Sequence, residues 1–327
     1  MRKRKTAGSF VYLCIILLLV LVMVFSGLQI LGSTVFRTEP EQNIPKESKT
    51  IIRDGVEYFP RQDITVVMII GVDQLGPAQD SGSYNNGGLA DVISLLIFDK
   101  TNRNCRILQL NRDTMVNVRV LGIGGKYAGT MYGQLALSHM YGSGLKDSCE
   151  NTRDTVSDFL YGLYIDYYVS MNMDAIRIIT DEVGGVKVDV QDDFSAIDPS
   201  IQMGEMVLNG EQAITFVRTR KDVADQMNLS RMQRHRTFMN GLMEGLQAKL
   251  ESNESFALTI YESLSPYVVS DCSGNVFYSI AQRYGDYPLV EIVSPEGENV
   301  KGEQYMEFYA DEEKLDELIL RLFYAPK

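Results

Sequence analysis

The run ITVVMIIGVD, residues 64–73, decides the fold class. Its first seven residues are apolar throughout, which is typical of a strand buried on both faces of a sheet. Val92–Phe98 (VISLLIF) and Arg106–Leu110 (RILQL) are further short β-rich runs, and Tyr167–Met171 and Val186–Val190 are additional strand candidates. Several buried strands separated by other structure predict an α/β domain.

Helical patterns accompany these strands. Asn151 is a candidate N-cap for a helix whose apolar residues recur at i, i+3, i+4 and i+7 from Val156 to Leu163. Asp311 is a candidate N-cap for a C-terminal helix with one apolar face. We therefore predict one α/β domain over residues 62–327.

The N-terminus predicts a membrane anchor. Four basic residues, Arg2–Lys5, precede the 22 mostly apolar residues of Phe10–Leu31. At about 1.5 Å per residue this helix spans about 33 Å, enough for a bilayer core of about 30 Å. The alternative, a cleavable secretory signal, has a shorter apolar centre of about 7–15 residues. Residues 1–9 are then a cytoplasmic tail and residues 10–31 a transmembrane helix, with everything after them outside the cell.

Residues 32–61 are rich in proline and polar residues, which predicts an extracellular stalk. The whole chain of 327 residues has a formal net charge of −12, which argues against binding nucleic acid along a broad basic surface. Two histidines and four cysteines give no zinc-ligand spacing. A single disulfide among Cys105, Cys149 and Cys272 stays open.

Two aspartates adjoin predicted strands. Asp73 ends the run quoted above and Asp91 begins the next strand, so both are expected at a sheet edge, where open α/β sheets place ligands. Such a pair suits Mg²⁺, which often binds through one or two carboxylates plus substrate phosphates. Capping of ordinary turns explains each aspartate equally well.

Basic residues form the second half of the candidate site. Arg112 follows the strand that ends at Leu110, where it can bind a phosphate or pair with Asp113. Residues 218–236 hold six cations against two acids, which suits a pyrophosphate, although a solvated cationic face explains the same pattern. The six are Arg218, Arg220, Lys221, Arg231, Arg234 and Arg236.

An apolar stripe continues beyond these cations. Phe238, Leu242 and Leu246 share a helix face with Arg231 and His235. The stripe fits ordinary core packing. The glycine-rich run 122–129 lacks the Ser or Thr of a nucleotide-binding P-loop.

Taken together, these segments resemble the LytR-CpsA-Psr family of membrane-anchored cell-envelope proteins. The likeness rests on short fragments that follow one another behind a single N-terminal anchor. They are GVD (71–73), the Asp91 region, LNRDT (110–114), IDYYV (165–169), VGGV (183–186), LNGEQA (208–213), VRTR (217–220) and RMQR (231–234).

The resemblance implies an extracellular α/β/α domain with a mixed central sheet. It implies a transferase that moves a glycopolymer from a polyprenyl-pyrophosphate lipid in the membrane onto peptidoglycan. Asp73 and Asp91 would hold Mg²⁺, and Asp91 and Arg112 would be the catalytic residues. The pyrophosphate would be bound by Arg112, Arg218, Arg220, Arg231 and His235. With such a substrate, the apolar stripe beside the arginines could line a slot for the lipid tail, with core packing as the alternative.

Two departures from the family pattern keep other functions open. The family usually has Arg-x-Asp-Thr where this chain has Leu89-Ala90-Asp91-Val92, and His235 stands where the family typically has Gln. These changes fit an altered substrate, or a paralogue that binds polyprenyl phosphates without transferring them. A surface pyrophosphatase is a third hypothesis.

Overall fold

A computed structural model describes residues 50–326, apart from positions 84–85, 220–227, 254–255, 273–275, 277–278, 281–282, 285–286 and 304. The predicted cytoplasmic tail and transmembrane helix lie outside the described residues. Within the described part, no helix combines the length and apolar character needed to cross a membrane.

The strands, in chain order, are β1 (Ile51–Arg53), β2 (Val56–Pro60), β3 (Ile64–Val72), β4 (Ala90–Asp99), β5 (Asn104–Leu110), β6 (Met115–Leu121), β7 (Tyr127–Gln134), β8 (Tyr167–Asn172), β9 (Val186–Val190), β10 (Gly204–Leu208), β11 (Val268–Ser270), β12 (Leu289–Val293), β13 (Gly297–Lys301), β14 (Met306–Ala310) and β15 (Tyr324–Pro326). The α-helices are α1 (Leu137–Met140), α2 (Lys146–Phe159), α3 (Met173–Glu182), α4 (Gly210–Arg218), α5 (Asn228–Ser252), α6 (Phe256–Leu264) and α7 (Glu312–Phe323).

A six-stranded sheet forms the centre, in the order β11-β8-β3-β4-β5-β12. β3 runs parallel to β8 and β5 parallel to β12, while β4 is antiparallel to both of its neighbours. The predicted α/β fold with a mixed central sheet is therefore confirmed. The predicted strand Val186–Val190 exists as β9, but it pairs with β10 in a separate two-stranded sheet.

Helices cover both faces of the sheet, which explains why β3 and β4 are apolar on both sides. On one face, Met68 and Leu95 pack with Val156 of α2 and Ile319 of α7. On the other face, Val67 and Leu96 pack with Ile280 and Tyr284. Helices α3, α5 and α6 share a separate apolar cluster with β9 and β10. Such burial of apolar surface is the main stabilising contribution of a domain core.

The first residues of α7 and α2 can be compared with the two predicted helix caps. Asp311 caps α7 as expected, because its side chain accepts a hydrogen bond from the Lys314 backbone. The prediction that Asn151 caps a helix is wrong: α2 begins at Lys146, and Asn151 is buried within it. There its amide donates to the carbonyls of Arg119 and Ser138. These two non-local bonds use the amide NH₂ group of Asn151 within the body of the helix, so this side chain links α2 to β6 and α1 instead of capping a terminus.

Part of the predicted stalk, residues 32–61, is folded. β1 and β2 form a hairpin, and β2 also pairs with β15 at the C-terminus. Ile51 and Tyr58 pack against the main core cluster. Residues 51–60 are therefore not an extended connection. Their strand β2 pairs with β15, a partner that the composition of the segment does not reveal.

Candidate functional site

Three strand ends meet at one edge of the central sheet. β3 pairs antiparallel with β4 so that Val72 lies opposite Ala90, and β4 pairs antiparallel with β5 so that Ile93 lies opposite Leu110. The residues after β3, at the start of β4 and after β5 therefore share this edge. Asp73, Asp91 and Arg112 occupy these positions, and we call this the acid–arginine edge.

Arg112 and Asp91 form a close ion pair in a nearly water-free environment. Their exposed fractions are only 6% and 7%. Arg112 Nε also lies 3.3 Å from Asp113 Oδ1. Two carboxylates therefore face one guanidinium in a region where solvent screens charge weakly.

A tight turn holds Arg112 in this position. Asn111 Oδ1 accepts a hydrogen bond from the Asp113 backbone at 3.0 Å, and the Thr114 hydroxyl donates to the Asn111 carbonyl at 2.5 Å. The Arg112 carbonyl accepts from the Ala136 backbone at 2.9 Å. Asn is favoured in such turns because its short side chain bonds the backbone two residues on.

Asp73 pairs with Arg218 at the same edge. Arg218 Nε lies 3.1 Å from Asp73 Oδ1, and Nη2 lies 3.4 Å from Oδ2. Arg218 is the last residue of α4, whose start is fixed by an Asn209–Gln212 capping box. About half of the Arg218 side chain is exposed, so a ligand can reach its guanidinium.

Arg234 stabilises the end of α4 from inside the protein. It is buried, and its guanidinium donates to the carbonyls of Phe216 and Thr219 and pairs with Asp192 at 2.6 Å. Because these two carbonyls flank Arg218, Arg234 is a positioning residue for that arginine.

The remaining predicted ligands have different placements. His235 donates its Nε2 hydrogen to the Val217 carbonyl at 2.9 Å, so the imidazole lies against α4. Arg220 falls outside the described residues. Arg231 lies in α5, and its side chain is outside the described part of the structure.

An apolar cavity lies next to the acid–arginine edge, between the sheet and helices α3, α5 and α6. It encloses about 150 Å³. Phe238 and Leu242 of the predicted stripe line it, while Leu246 packs in the adjacent core cluster. Gly71 and Val72 also line it, which brings the cavity to the residue before Asp73.

Sequence reasoning missed a second, polar cavity at this edge. It encloses about 430 Å³ beside Asn111, and Arg236 of α5 lines both cavities. Part of its wall comes from β13 and β14, two strands that the apolar patterns did not reveal. The loop between them, residues 302–305, contains neither Asn-Gly nor Asp-Gly, the pairs that mark the shortest hairpin turns.

The cysteines and His139 form no exposed reactive group. Cys105, Cys149 and Cys272 are buried thiols, and burial raises the pKa of Cys149 to about 12. Burial also lowers the pKa of His139, whose Nδ1 lies 2.7 Å from the Gly87 carbonyl. Thiol nucleophiles need a lowered pKa, so Cys149 is a structural residue.

The fold and edge define a class of α/β protein whose paired acids and arginines adjoin an apolar cavity. A sequence profile described as the LytR_cpsA_psr family matches residues 33–322. The chain belongs to this family.

Named proteins of this family are similar to the chain at modest sequence identity. The chain is 27% identical to the Bacillus subtilis (strain 168) polyisoprenyl-teichoic acid–peptidoglycan teichoic acid transferase TagV over 63% of its length and 49% of TagV. It is 26% identical to TagU of Halalkalibacterium halodurans, a transferase of the same name, over 78% of this chain and 77% of TagU. The alignment thus spans about half the length of TagV.

Solved structures show the same fold. Protein gbs0355 from Streptococcus agalactiae superposes with a TM-score of 0.63 at 20% identity, over 80% of this chain and 86% of that one. TagT bound to LI-WTA superposes with a TM-score of 0.59 at 22% identity, over 80% of this chain and 89% of TagT.

Proposed function

We propose that this protein transfers a glycopolymer from a polyprenyl-pyrophosphate lipid onto peptidoglycan. The observation that carries the proposal is the position of the apolar cavity directly beside the acid–arginine edge. A polyprenyl chain is apolar and its pyrophosphate is anionic, so one ligand of this class matches both surfaces. The names of the relatives TagV and TagU, which describe transfer from a polyisoprenyl carrier to peptidoglycan, support the same reaction.

The reaction forms one P–O bond and breaks another. An acceptor hydroxyl oxygen attacks the phosphorus that carries the glycopolymer, and the hydroxyl proton is released. The bond to the lipid phosphate breaks, and polyprenyl phosphate leaves with the electron pair. Phosphoryl transfer depends mainly on positioning and on neutralising oxygen charge, which Arg112 and Arg218 provide at this edge.

The acids fit a magnesium ion in number and type. Asp91 and Asp113 place two carboxylates around Arg112, an excess of one negative charge before any substrate binds. Asp73 and Asp91 would hold the ion, since a carboxylate has about four lone-pair sites and pairing with arginine leaves capacity. The described residues contain no cluster of three or more His, Cys, Asp or Glu ligands, so substrate oxygens and water would complete the shell. When bound, the ion supplies charge neutralisation for the phosphate oxygens.

The proposed location follows from the N-terminal sequence. A helix over residues 10–31 with its basic flank in the cytoplasm would hold the domain at the outer surface of the membrane. Its cavity would then be within reach of a lipid carrier, and its edge within reach of peptidoglycan.

One observation favours a second candidate function, lipid binding without transfer. Leu89 stands where the family usually has Arg, and no Lys or Arg lies between Asp73 and Asp91. With one cation fewer, the edge would bind a carrier phosphate while stabilising the transition state less well.

Transfer is tested with the full chain in detergent, a polyprenyl-pyrophosphate disaccharide, Mg²⁺ and uncrosslinked peptidoglycan. We expect disaccharide to become attached to peptidoglycan, and Asp91→Asn to slow this by about 10²–10³-fold, the usual effect of losing one preorganised charge-stabilising group. Asp158→Asn is the matched control, because Asp158 pairs with Arg119 on the exposed surface of α2. Thermal unfolding of each variant separates loss of chemistry from loss of fold.

Three outcomes distinguish the candidate functions. Attachment that survives in Asp91→Asn contradicts the proposed site. Tight binding of the carrier without attachment supports the second function. Phosphate release that needs no peptidoglycan identifies a pyrophosphatase instead.

A further inference from the structure

The polar cavity beside Asn111 forms a cleft at the acid–arginine edge, which we call the polar cleft. Its volume of about 430 Å³ falls within the range of about 300–1,000 Å³ that is usual for small-ligand pockets. The residues that line it include Asn111, Gln233, Arg236, Ser294, Asn299 and Phe308.

The cleft is built onto the same turn that holds Arg112. The backbone N–H of Phe308 donates to the Asp113 carbonyl at 2.9 Å, which attaches β14 to this turn. Gln134 Nε2 donates to Asp113 Oδ1 at 3.1 Å and to the Met306 carbonyl at 2.7 Å. The wall of the cleft and the buried arginine are therefore fixed to each other.

The chemistry of the lining favours a neutral, hydroxyl-rich ligand. Side-chain amides and a hydroxyl can donate and accept hydrogen bonds with sugar hydroxyls. Phe308 adds an apolar ring, and Arg236 is the one charged side chain among the described residues of the lining.

Arg236 connects the two cavities. It lines both, and its Nη2 donates to Gln109 Oε1 at 3.1 Å. A ligand with its tail in the apolar cavity and its phosphates beside Arg236 would have the polar cleft next to the group that follows the phosphates. We infer that the polar cleft binds the sugar attached to the carrier pyrophosphate, with Arg236 contacting the phosphate at the junction. This inference rests on the proposed function, since it takes the carrier lipid as the ligand.

A pair of neighbouring substitutions tests the cleft. Asn299 lies opposite Phe308 in the β13–β14 pair and shares its face, whereas the next residue, Val300, alternates to the other face and is 42% exposed. Asn299→Trp fills the cleft, and Val300→Trp adds the same ring to the same strand outside it. Affinities of the full chain in detergent are measured for polyprenyl-pyrophosphate disaccharide and for polyprenyl monophosphate.

We expect Asn299→Trp to weaken binding of the disaccharide carrier at least tenfold and to leave the monophosphate unchanged. Val300→Trp should change neither affinity. If Asn299→Trp fails to fold, Gln233→Trp on the α5 side of the cleft replaces it with the same expectation.

Equal affinity of Asn299→Trp and the unmodified protein for the disaccharide carrier overturns the inference. A parallel loss of affinity for both ligands also overturns it. The test needs no turnover. A protein that transfers nothing yet binds the carrier in a sugar-dependent, Asn299-dependent manner would refute the proposed reaction and leave the cleft assignment standing.

Discussion

At the residue scale, Arg112 is a buried side chain to which we assign both a structural and a proposed functional role. Its guanidinium is held between Asp91 and Asp113 with only 6% of the residue exposed. Removing one partner from a buried ion pair typically destabilises a protein by about 3–5 kcal/mol, because the other charge stays desolvated. In the proposed function, the same burial would keep the arginine preorganised for the phosphate charge of the substrate.

His139 is a second residue whose environment bears on the site. The loop between Asp73 and Asp91 is attached to it, because its Nδ1 hydrogen is donated to the Gly87 carbonyl. Nε2 lies 3.8 Å from the buried Cys149 thiol. Burial lowers the pKa of His139, although hydrogen bonds to Gly88 and Gly87 oppose that effect.

This pKa shift predicts a loss of stability on the acid side. A histidine with a lowered pKa in the folded state contributes stability above its unfolded pKa of about 6.5, and that contribution falls as the pH drops below this value. His139→Gln keeps an N–H donor but cannot titrate. In urea unfolding from pH 7 to pH 5, we expect the unmodified protein to lose more free energy of unfolding than the variant. Parallel pH profiles for the two proteins would contradict this role.

At the scale of elements, α5 carries His235, Arg236 and the apolar stripe, and its position depends on a glycine. Gly241 allows α5 to lie directly on β9, since a Cβ atom there would be only 1.9 Å from the Lys187 carbonyl oxygen. Gly245, one turn later, would place its Cβ 3.4 Å from Val183, an ordinary contact distance. The close approach of α5 to β9 therefore excludes a Cβ atom at Gly241, whereas a Cβ atom at Gly245 meets only ordinary contacts.

Alanine substitutions at these two glycines should have different effects on stability. Gly241→Ala must push α5 away from β9, and overpacking of this kind typically destabilises by about 1–3 kcal/mol. Gly245→Ala should be neutral or stabilise by up to about 1 kcal/mol, because alanine favours the helix. Thermal unfolding measures both effects, and binding of polyprenyl monophosphate reports any shift of the cavity wall. Equal stability of the two variants would show that α5 does not depend on close approach at Gly241.

At the scale of the whole molecule, the two ends of the described chain close on each other. β2 pairs with β15, and the Arg61 backbone N–H donates to the Phe323 carbonyl at 2.9 Å. Tyr324 is 4% exposed within this arrangement. The segment that leads from the predicted anchor is therefore part of the domain that it supports.

Shortening the chain tests this closure. A protein beginning at residue 61 keeps the Arg61–Asp99 ion pair but lacks β1 and β2. Compared with one beginning at residue 50, we expect it to unfold at a lower temperature, because Tyr58, which packs against the core, is lost and Tyr324 becomes exposed. A loss of 1 kcal/mol lowers the midpoint by about 2–4 °C for a domain of this size. Identical midpoints would mean that the hairpin adds nothing to the fold.

The sequence by itself determined the strands β3, β4, β5 and β8, the cap of α7, and the positions of the acids and arginines at strand and helix ends. These features depend on local hydrophobic periodicity and local hydrogen bonding, which a short window of residues contains. Whether the aspartates and arginines act as one site remains a prediction that the proposed experiments address.

Only the tertiary structure decided which charged groups meet. Asp73 pairs with Arg218, which is 145 residues away in the sequence. The sequence did not show which acid Arg112 would contact, and the register of β4 and β5 places Asp91 beside it. The apolar cavity, the polar cleft and the packing of residues 51–60 also depend on elements that are distant in sequence. Their formation follows from how whole strands and helices pack, because local patterns specify what a segment buries but not what it is buried against.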